Sequence, residues 1–162
     1  MNLFRHIMTG GVLALLIISG NAYADNLAKV RVFYDFLADP SSEAKADAFL
    51  KIASEDWESI GGYSGKSNSR EDVVNRLGGI SKIIPDLVWE VQDMHQDGDT
   101  VIVRSRATGT PTEPFFGVDG EGRSFDIMAI DIHTLEKGLL VRTYHVEDWA
   151  GAMRQLGGIK DH

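Results

Sequence analysis

Residues able to move protons crowd into one stretch of this chain. Between Ile130 and Trp149 stand Asp131, His133, His145, Glu147 and Asp148, and two of the chain's five histidines lie here. An imidazole titrates near neutrality, and a nearby carboxylate raises its basicity and fixes its tautomer. A His/Asp pair is therefore suited to general acid/base proton transfer. Asp131, His133 and His145 also have the ligand types for zinc or iron, but without a diagnostic spacing.

Whether these groups meet depends on the hairpin that carries them. The stretch reads as two strands around Glu136-Lys137-Gly138. Side chains alternate faces along a strand. Ile127, Ala129, Asp131 and His133 share one face, and Met128, Ile130 and Ile132 share the other. On the next strand Val141, Thr143, His145 and Glu147 oppose Arg142, Tyr144, Val146 and Asp148. A three-residue loop with Gly138 left-handed pairs Leu135 with Leu139 and sets Asp131 one diagonal step from His145. A two-residue loop shifts parity and gives Asp131 the company of Tyr144 and Asp148 instead. The pattern equally fits a solvated face holding Asp131 and its neighbours over a Met-Ile-Val core, since antiparallel sheets commonly keep one side wet.

The rest of the chain must supply the layer against which this hairpin packs. Leu27, Val30, Phe33, Tyr34 and Leu37 fall at helical spacing over Asn26 to Leu37, and Asp39-Pro40 stops that helix. Ser41-Ser42 can cap a second helix with Ala44, Ala48, Phe49 and Ile52, and Glu55 to Ile60 reads as extended. Ser69-Arg70-Glu71-Asp72 resembles a capping box and opens a third helix that Pro85 ends. Leu87 to Gln92, Thr100 to Thr108, Ser124 to Leu135 and Leu139 to Glu147 read as strands, the first two joined through Asp97-Gly98. A last helix runs from Asp148 to Leu156. Helices first and an antiparallel meander afterwards predict an α+β fold, with helices on one face of a curling sheet and a pocket where they leave it uncovered.

Trp57, Trp89, Phe115, Phe116 and Tyr144 could line such a pocket, although aromatics are as readily ordinary core. Phe115-Phe116, between Pro114 and Gly117, suits a lid. Gly117 to Gly122 lacks the strand-to-helix setting of a phosphate loop, and no Ser sits in a nucleophile elbow.

Arg5, the apolar run Gly11 to Ile18 and Ala22-Tyr23-Ala24 follow the order of a secretory signal peptide. The run is shorter than the roughly 20 residues of a membrane span. Cleavage after Ala24 is expected, leaving residues 25–162 as one domain, periplasmic or secreted. The net charge of −8 becomes −9 with the loss of Arg5. Such an acidic chain repels phosphate backbones, so no nucleic-acid partner is expected, and no basic amphipathic stretch suggests a membrane surface. With no cysteine, the fold relies on packing alone.

Ile84 to Val91, Asp97 to Arg104, Ala107-Thr108-Gly109-Thr110 and the tail Asp148 to Gly157 resemble the SnoaL-like polyketide cyclase, or ester cyclase, family of the nuclear transport factor 2-like superfamily. The resemblance covers nearly all of residues 25–162. It implies a cone-shaped α+β barrel, a curved antiparallel sheet packed on three N-terminal helices around a deep apolar cavity. It implies chemistry without metal or cofactor, by an Asp on the last strand and a His on the strand before it. Here the two types are exchanged, with His145 at the Asp position and Asp131 at the His position. Asp148 matches a carboxylate common in the family, but it can equally cap the last helix. The expected activity is an enolisation of a small lipophilic carbonyl compound leading to cyclisation, isomerisation or dehydration. His145 would be the base, Asp131 its orienting partner, and His133, Tyr144, Trp57 and Phe116 the substrate contacts. The other expectation is a non-catalytic periplasmic module for an apolar ligand. A third expectation is a purely structural homodimer, paired through the outer face of the sheet as related proteins often are.

Overall fold

The computed structural model describes residues 13–159, with side-chain surroundings from residue 25 onward. Residues 1–12, the basic start of the expected signal peptide, lie outside the described residues. The element order is α1 (Leu13–Leu37), α2 (Glu43–Ile52), β1 (Ala53–Ile60), α3 (Arg70–Ile83), β2 (Val88–Asp97), β3 (Thr100–Gly109), β4 (Phe125–Glu136), β5 (Leu139–Glu147) and α4 (Trp149–Gln155). The backbone of α1 is helical across Ala24 and back to Leu13.

The helix starts follow local side-chain chemistry. Ser42 accepts from the Lys45 amide, so Asp39-Pro40-Ser41 forms the corner between α1 and α2. Ser69 and Asp72 complete the reciprocal capping box of α3. Asp148 caps α4 by accepting from the Gly151 amide at 2.8 Å. A Cβ at Gly151 would meet that same carboxylate, so the cap requires glycine there.

The five strands form one curled, unclosed sheet in the order β1-β5-β4-β3-β2. All neighbours are antiparallel except β1, which runs parallel to β5 and pairs Ser59 with Thr143. The concave face is packed by α1, α2 and α3. Val30, Phe33, Phe36 and Leu37 of α1 are buried with Phe49 of α2, Trp57 of β1 and Val101, Val103 and Ala107 of β3. Phe36 stacks on Phe49 at 5.4 Å, and Phe49 meets Trp57 edge-on at 5.3 Å, both within aromatic contact.

The inner face of β4 reads Phe125, Ile127, Ala129, Asp131, His133 and Leu135, all buried, while Met128, Ile130 and Ile132 are exposed. The face with the carboxylate and the imidazole is therefore the core face, and the Met-Ile-Val face is outside. Helix α1 decides this, because its aromatic stripe lies against the Asp131 side and its Tyr34 supplies the hydrogen bonds that burial of those polar groups requires.

The β4–β5 turn combines both anticipated geometries. The loop has two residues, with Glu136 opposite Leu139, and both Lys137 (φ 50°) and Gly138 (φ 79°) are left-handed, as a tight hairpin turn demands. The register then shifts between Thr134 and Leu135, leaving Val141 as an extra residue on β5. This bulge restores the parity that the short loop would have lost. Asp131 is thus directly opposite His145 rather than a diagonal step away.

Candidate active site

A cavity of about 350 Å³ remains between the sheet and the helices. Its walls are apolar, with Phe33, Leu77, Ile80, Ile84, Trp89 and Phe116 among them. Polar groups enter from the sheet side: Ser59 of β1, Asp131 of β4, and Thr143, His145 and Glu147 of β5, with Arg76 of α3 at the exposed rim.

Two hydrogen-bonded chains hold these groups. One begins at Trp57, whose indole N–H can only donate, and does so to Thr143 Oγ1 at 3.2 Å. Thr143 lies 2.9 Å from His133 Nδ1, and His133 Nε2 lies 3.0 Å from the Tyr34 hydroxyl. Tyr34 donates to Asp131 Oδ2 at 2.6 Å. The hydroxyl protons then fix the sense of the chain. Thr143 donates to Nδ1, Nε2 carries the imidazole proton and donates to Tyr34, and Tyr34 donates to the carboxyl. His133 is fully buried, and burial, with the charge of His145 adding to it, lowers its pKa to about 3. It is neutral in this structure at physiological pH, which the donor sequence also requires. Burial likewise pushes the Tyr34 hydroxyl far above its usual range, so it stays a donor.

The second chain runs along β5. His145 Nδ1 is 2.8 Å from Glu147 Oε1, and Trp149 donates to Glu147 Oε2 at 3.2 Å. Glu147 thereby pins the proton on Nδ1 and leaves Nε2 facing Ser59 Oγ at 3.1 Å. The imidazole rests against Gly61, where a Cβ would come within 3.0 Å of its Cε1. Its hydrogen bond to Glu147 raises the pKa of His145 above the ordinary histidine value, against an opposing effect of burial.

Asp131 stands apart from both neighbours in charge. It is buried to 3 % exposure. Desolvation lifts its pKa to about 7, opposed by the Tyr34 hydrogen bond and the nearby His145. A carboxyl lifted to about 7 by burial and an imidazole held above its ordinary pKa by Glu147 thus face each other across neighbouring strands in an apolar hollow.

The anticipated residues divide sharply. Asp131 and His145 line the cavity, and Phe116 lies at its edge with 64 % exposure. Phe115 and Phe116 lie in a tight turn closed by two backbone hydrogen bonds between Phe115 and Val118, and both rings pack on Trp149. His133 and Trp57 do not line the cavity, and both hydrogen-bond Thr143 behind its wall. Tyr144 points to the outer face, because it alternates with His145 on β5. Asp148 is taken up by the α4 cap and does not line the cavity. The orienting partner of His145 is Glu147, two residues along the same strand face, rather than Asp131. Tyr34 and Ser59 were not singled out by the sequence. Tyr34 had one available signal, a hydroxyl in an otherwise apolar helix stripe, whereas Ser59 had none, since its strand pairs in parallel with a segment more than eighty residues away. Among the described residues no three His, Asp or Glu side chains cluster as a metal site.

A curled sheet packed by helices around a side-opening apolar cavity defines the nuclear transport factor 2-like class of α+β proteins. Solved structures bear this out. The chain superposes on a candidate SnoaL-like polyketide cyclase from Jannaschia sp. CCS1 with a TM-score of 0.72 at 21% identity, covering 85% of this chain and 94% of that one. IdmH, a candidate polyketide cyclase from Streptomyces antibioticus, gives a TM-score of 0.69 at 23% identity, covering 82% and 98%. An NTF2-like protein of unknown function from Burkholderia pseudomallei K96243 gives 0.63 at 15%, covering 82% and 97%. The model of the SnoaL-like polyketide cyclase family matches residues 30–156, and the chain belongs to that family. Among curated proteins none matches this chain.

Proposed function

We propose that this protein binds a small, largely apolar carbonyl compound in the cavity and enolises it by acid/base chemistry, as the first step of a cyclisation, isomerisation or dehydration. The observation that carries this reading is the facing pair Asp131 and His145, held by separate partners inside an apolar hollow. His145 Nε2 takes the α-proton while Glu147 keeps the opposite nitrogen protonated. Asp131 in its acid form hydrogen-bonds the carbonyl oxygen as it gains negative charge, the role for which a carboxyl pushed up to about 7 is suited. Family membership supports a cyclase-type or ligand-binding role for the cavity.

Enolisation is read directly as exchange of α-protons. Small apolar ketones and β-keto esters incubated with the protein in D2O should lose their α-proton NMR signals, and His145→Ala should reduce exchange by at least about 100-fold, the usual worth of a positioned base. The rate should fall on the acid side as His145, whose pKa Glu147 holds above the ordinary histidine value, takes up its proton, and fall on the alkaline side as Asp131, raised to about 7, ionises. Ligands that raise the melting temperature without any exchange would replace this reading with that of a binding module.

The same proposal extends to location and assembly. Residues 1–24 are removed after Ala24 and the mature protein is exported, which mass measurement of the secreted or periplasmic chain tests. Two copies pair through the outer face of the sheet, where Ile130, Ile132, Tyr144 and Val146 are exposed beside a hollow of about 300 Å³.

A further inference from the structure

Ser59 is a polar group of the cavity wall that enolisation does not use. It is a buried serine, 4 % exposed, whose side chain opens on the cavity. Its backbone is clamped on both sides, by pairing with Thr143 on β5 and by two hydrogen bonds of 2.9 and 3.0 Å with Asn68. Its Oγ lies 3.1 Å from His145 Nε2, whose other nitrogen lies 2.8 Å from Glu147. Trp149 holds the far oxygen of Glu147. Hydroxyl, imidazole and carboxylate therefore stand in the order and at the spacing of a nucleophile, its base and the group that orients the base. Gly61 contributes by absence, since any side chain there would displace the imidazole edge.

We propose that Ser59, His145 and Glu147 form an acyl-transfer triad, and that the cavity cleaves small esters with an apolar acyl group through an acyl-Ser59 intermediate. As Ser59 Oγ forms its bond to the ester carbonyl carbon, its proton passes to His145 Nε2. The tetrahedral oxyanion finds its donors in Arg76 at the rim and the acid form of Asp131 in the wall. The C–O bond to the alcohol then breaks, and the leaving oxygen takes the proton back from Nε2. Water, deprotonated by the same nitrogen, attacks the acyl carbon and returns Ser59 with release of a carboxylic acid. No sequence motif announces this site, because the serine lies in a regular strand and meets its base through a parallel pairing. It shares His145, Glu147 and Asp131 with the enolisation reading but not its readout.

A small alkyl fluorophosphonate tests the triad on the unaltered protein. One adduct per chain should form, and peptide mass mapping should place it on Ser59. His145→Ala should slow labelling by at least about 100-fold, and Ser59→Ala should abolish it. A second measurement does not depend on the phosphonate fitting the cavity. The chain has no cysteine, so Ser59→Cys introduces a single thiol. Beside His145 that thiol should react with iodoacetamide at pH 6 at least about 10-fold faster than an ordinary thiol, whose pKa is about 8.5. Folded protein that carries no adduct on Ser59, or a Ser59→Cys thiol with the ordinary pH profile, overturns the proposal. Either result leaves α-proton exchange untouched as a measure of enolisation, so the two readings fail separately.

Discussion

Asp131 and His133 are buried two residues apart on the inner face of β4, and burial displaces them in opposite senses. The folded-state pKa of Asp131 is raised from 3.8 to about 7, so the folded chain holds a proton there that the unfolded chain has lost, and stability falls as pH rises through that window. The folded-state pKa of His133 is lowered from 6.5 to about 3, so the unfolded chain gains a proton there that the folded chain refuses, and stability falls as pH drops from 6.5. Between about pH 4 and 6.5 the two slopes are opposite, each about 1.4 kcal/mol per pH unit. They cancel in the natural protein. Asp131→Asn keeps the acceptor for Tyr34 and removes one of the slopes. Its stability should therefore drop by about 1.4 kcal/mol more than that of the natural protein for each pH unit between 6.5 and 4.5, as measured by urea unfolding. An unchanged slope would mean that Asp131 is already ionised in the folded state at pH 5. Both residues are visible in the sequence as chemically able. Their burial is not, because it depends on Tyr34, ninety-seven positions away from Asp131, to supply the hydrogen bond.

At the level of elements, the site depends on two local departures from a plain sheet. The first is the gap at Gly61, just past the end of β1, into which the imidazole of β5 fits. Gly61→Ala should leave the melting temperature within a few degrees, since the ring can give by a few tenths of an ångström. It should lower His145-dependent α-proton exchange by about 10-fold or more, because small displacements of a catalytic group are expensive in rate. Exchange at the natural rate would show that the ring does not need this seat. The second departure is the turn at Lys137-Gly138 followed by the bulge at Val141. Lysine in a left-handed conformation is strained, and asparagine tolerates it better. Lys137→Asn is expected to stabilise the protein by about 0.5–1 kcal/mol in thermal unfolding, the scale of such turn substitutions. The strands and the turn were legible from alternation and from Gly138. The bulge was not, since a two-residue turn plus one extra residue yields the same facing parity as the three-residue loop.

The whole molecule presents an apolar face on the wrong side for its own core. Ile102, Met128, Ile130, Ile132, Tyr144 and Val146 are all at least 38 % exposed on the convex side of the sheet. Monomeric proteins seldom leave so contiguous a patch uncovered, which is the physical ground for the proposed homodimer. Val146→Asp and Ile130→Asp, together, should convert a dimer to a monomer in light scattering after gel filtration while leaving the helical and sheet content unchanged. A natural chain that already runs as a monomer at micromolar concentration would remove the proposal.

The sequence by itself determined the order of the elements, the caps of α2, α3 and α4, and the family with its cavity-bearing fold, because these follow from short-range periodicity, side-chain caps and motifs contiguous in the chain. It also located the two groups that face each other, Asp131 and His145. Only the tertiary structure decided which side of the sheet is inside, that Glu147 rather than Asp131 orients His145, and that Ser59 and Tyr34 belong to the site. Those outcomes depend on the parallel β1–β5 pairing, on a bulge, and on where α1 lies across the sheet. Such long-range placements leave no periodic trace in the residues that they bring together.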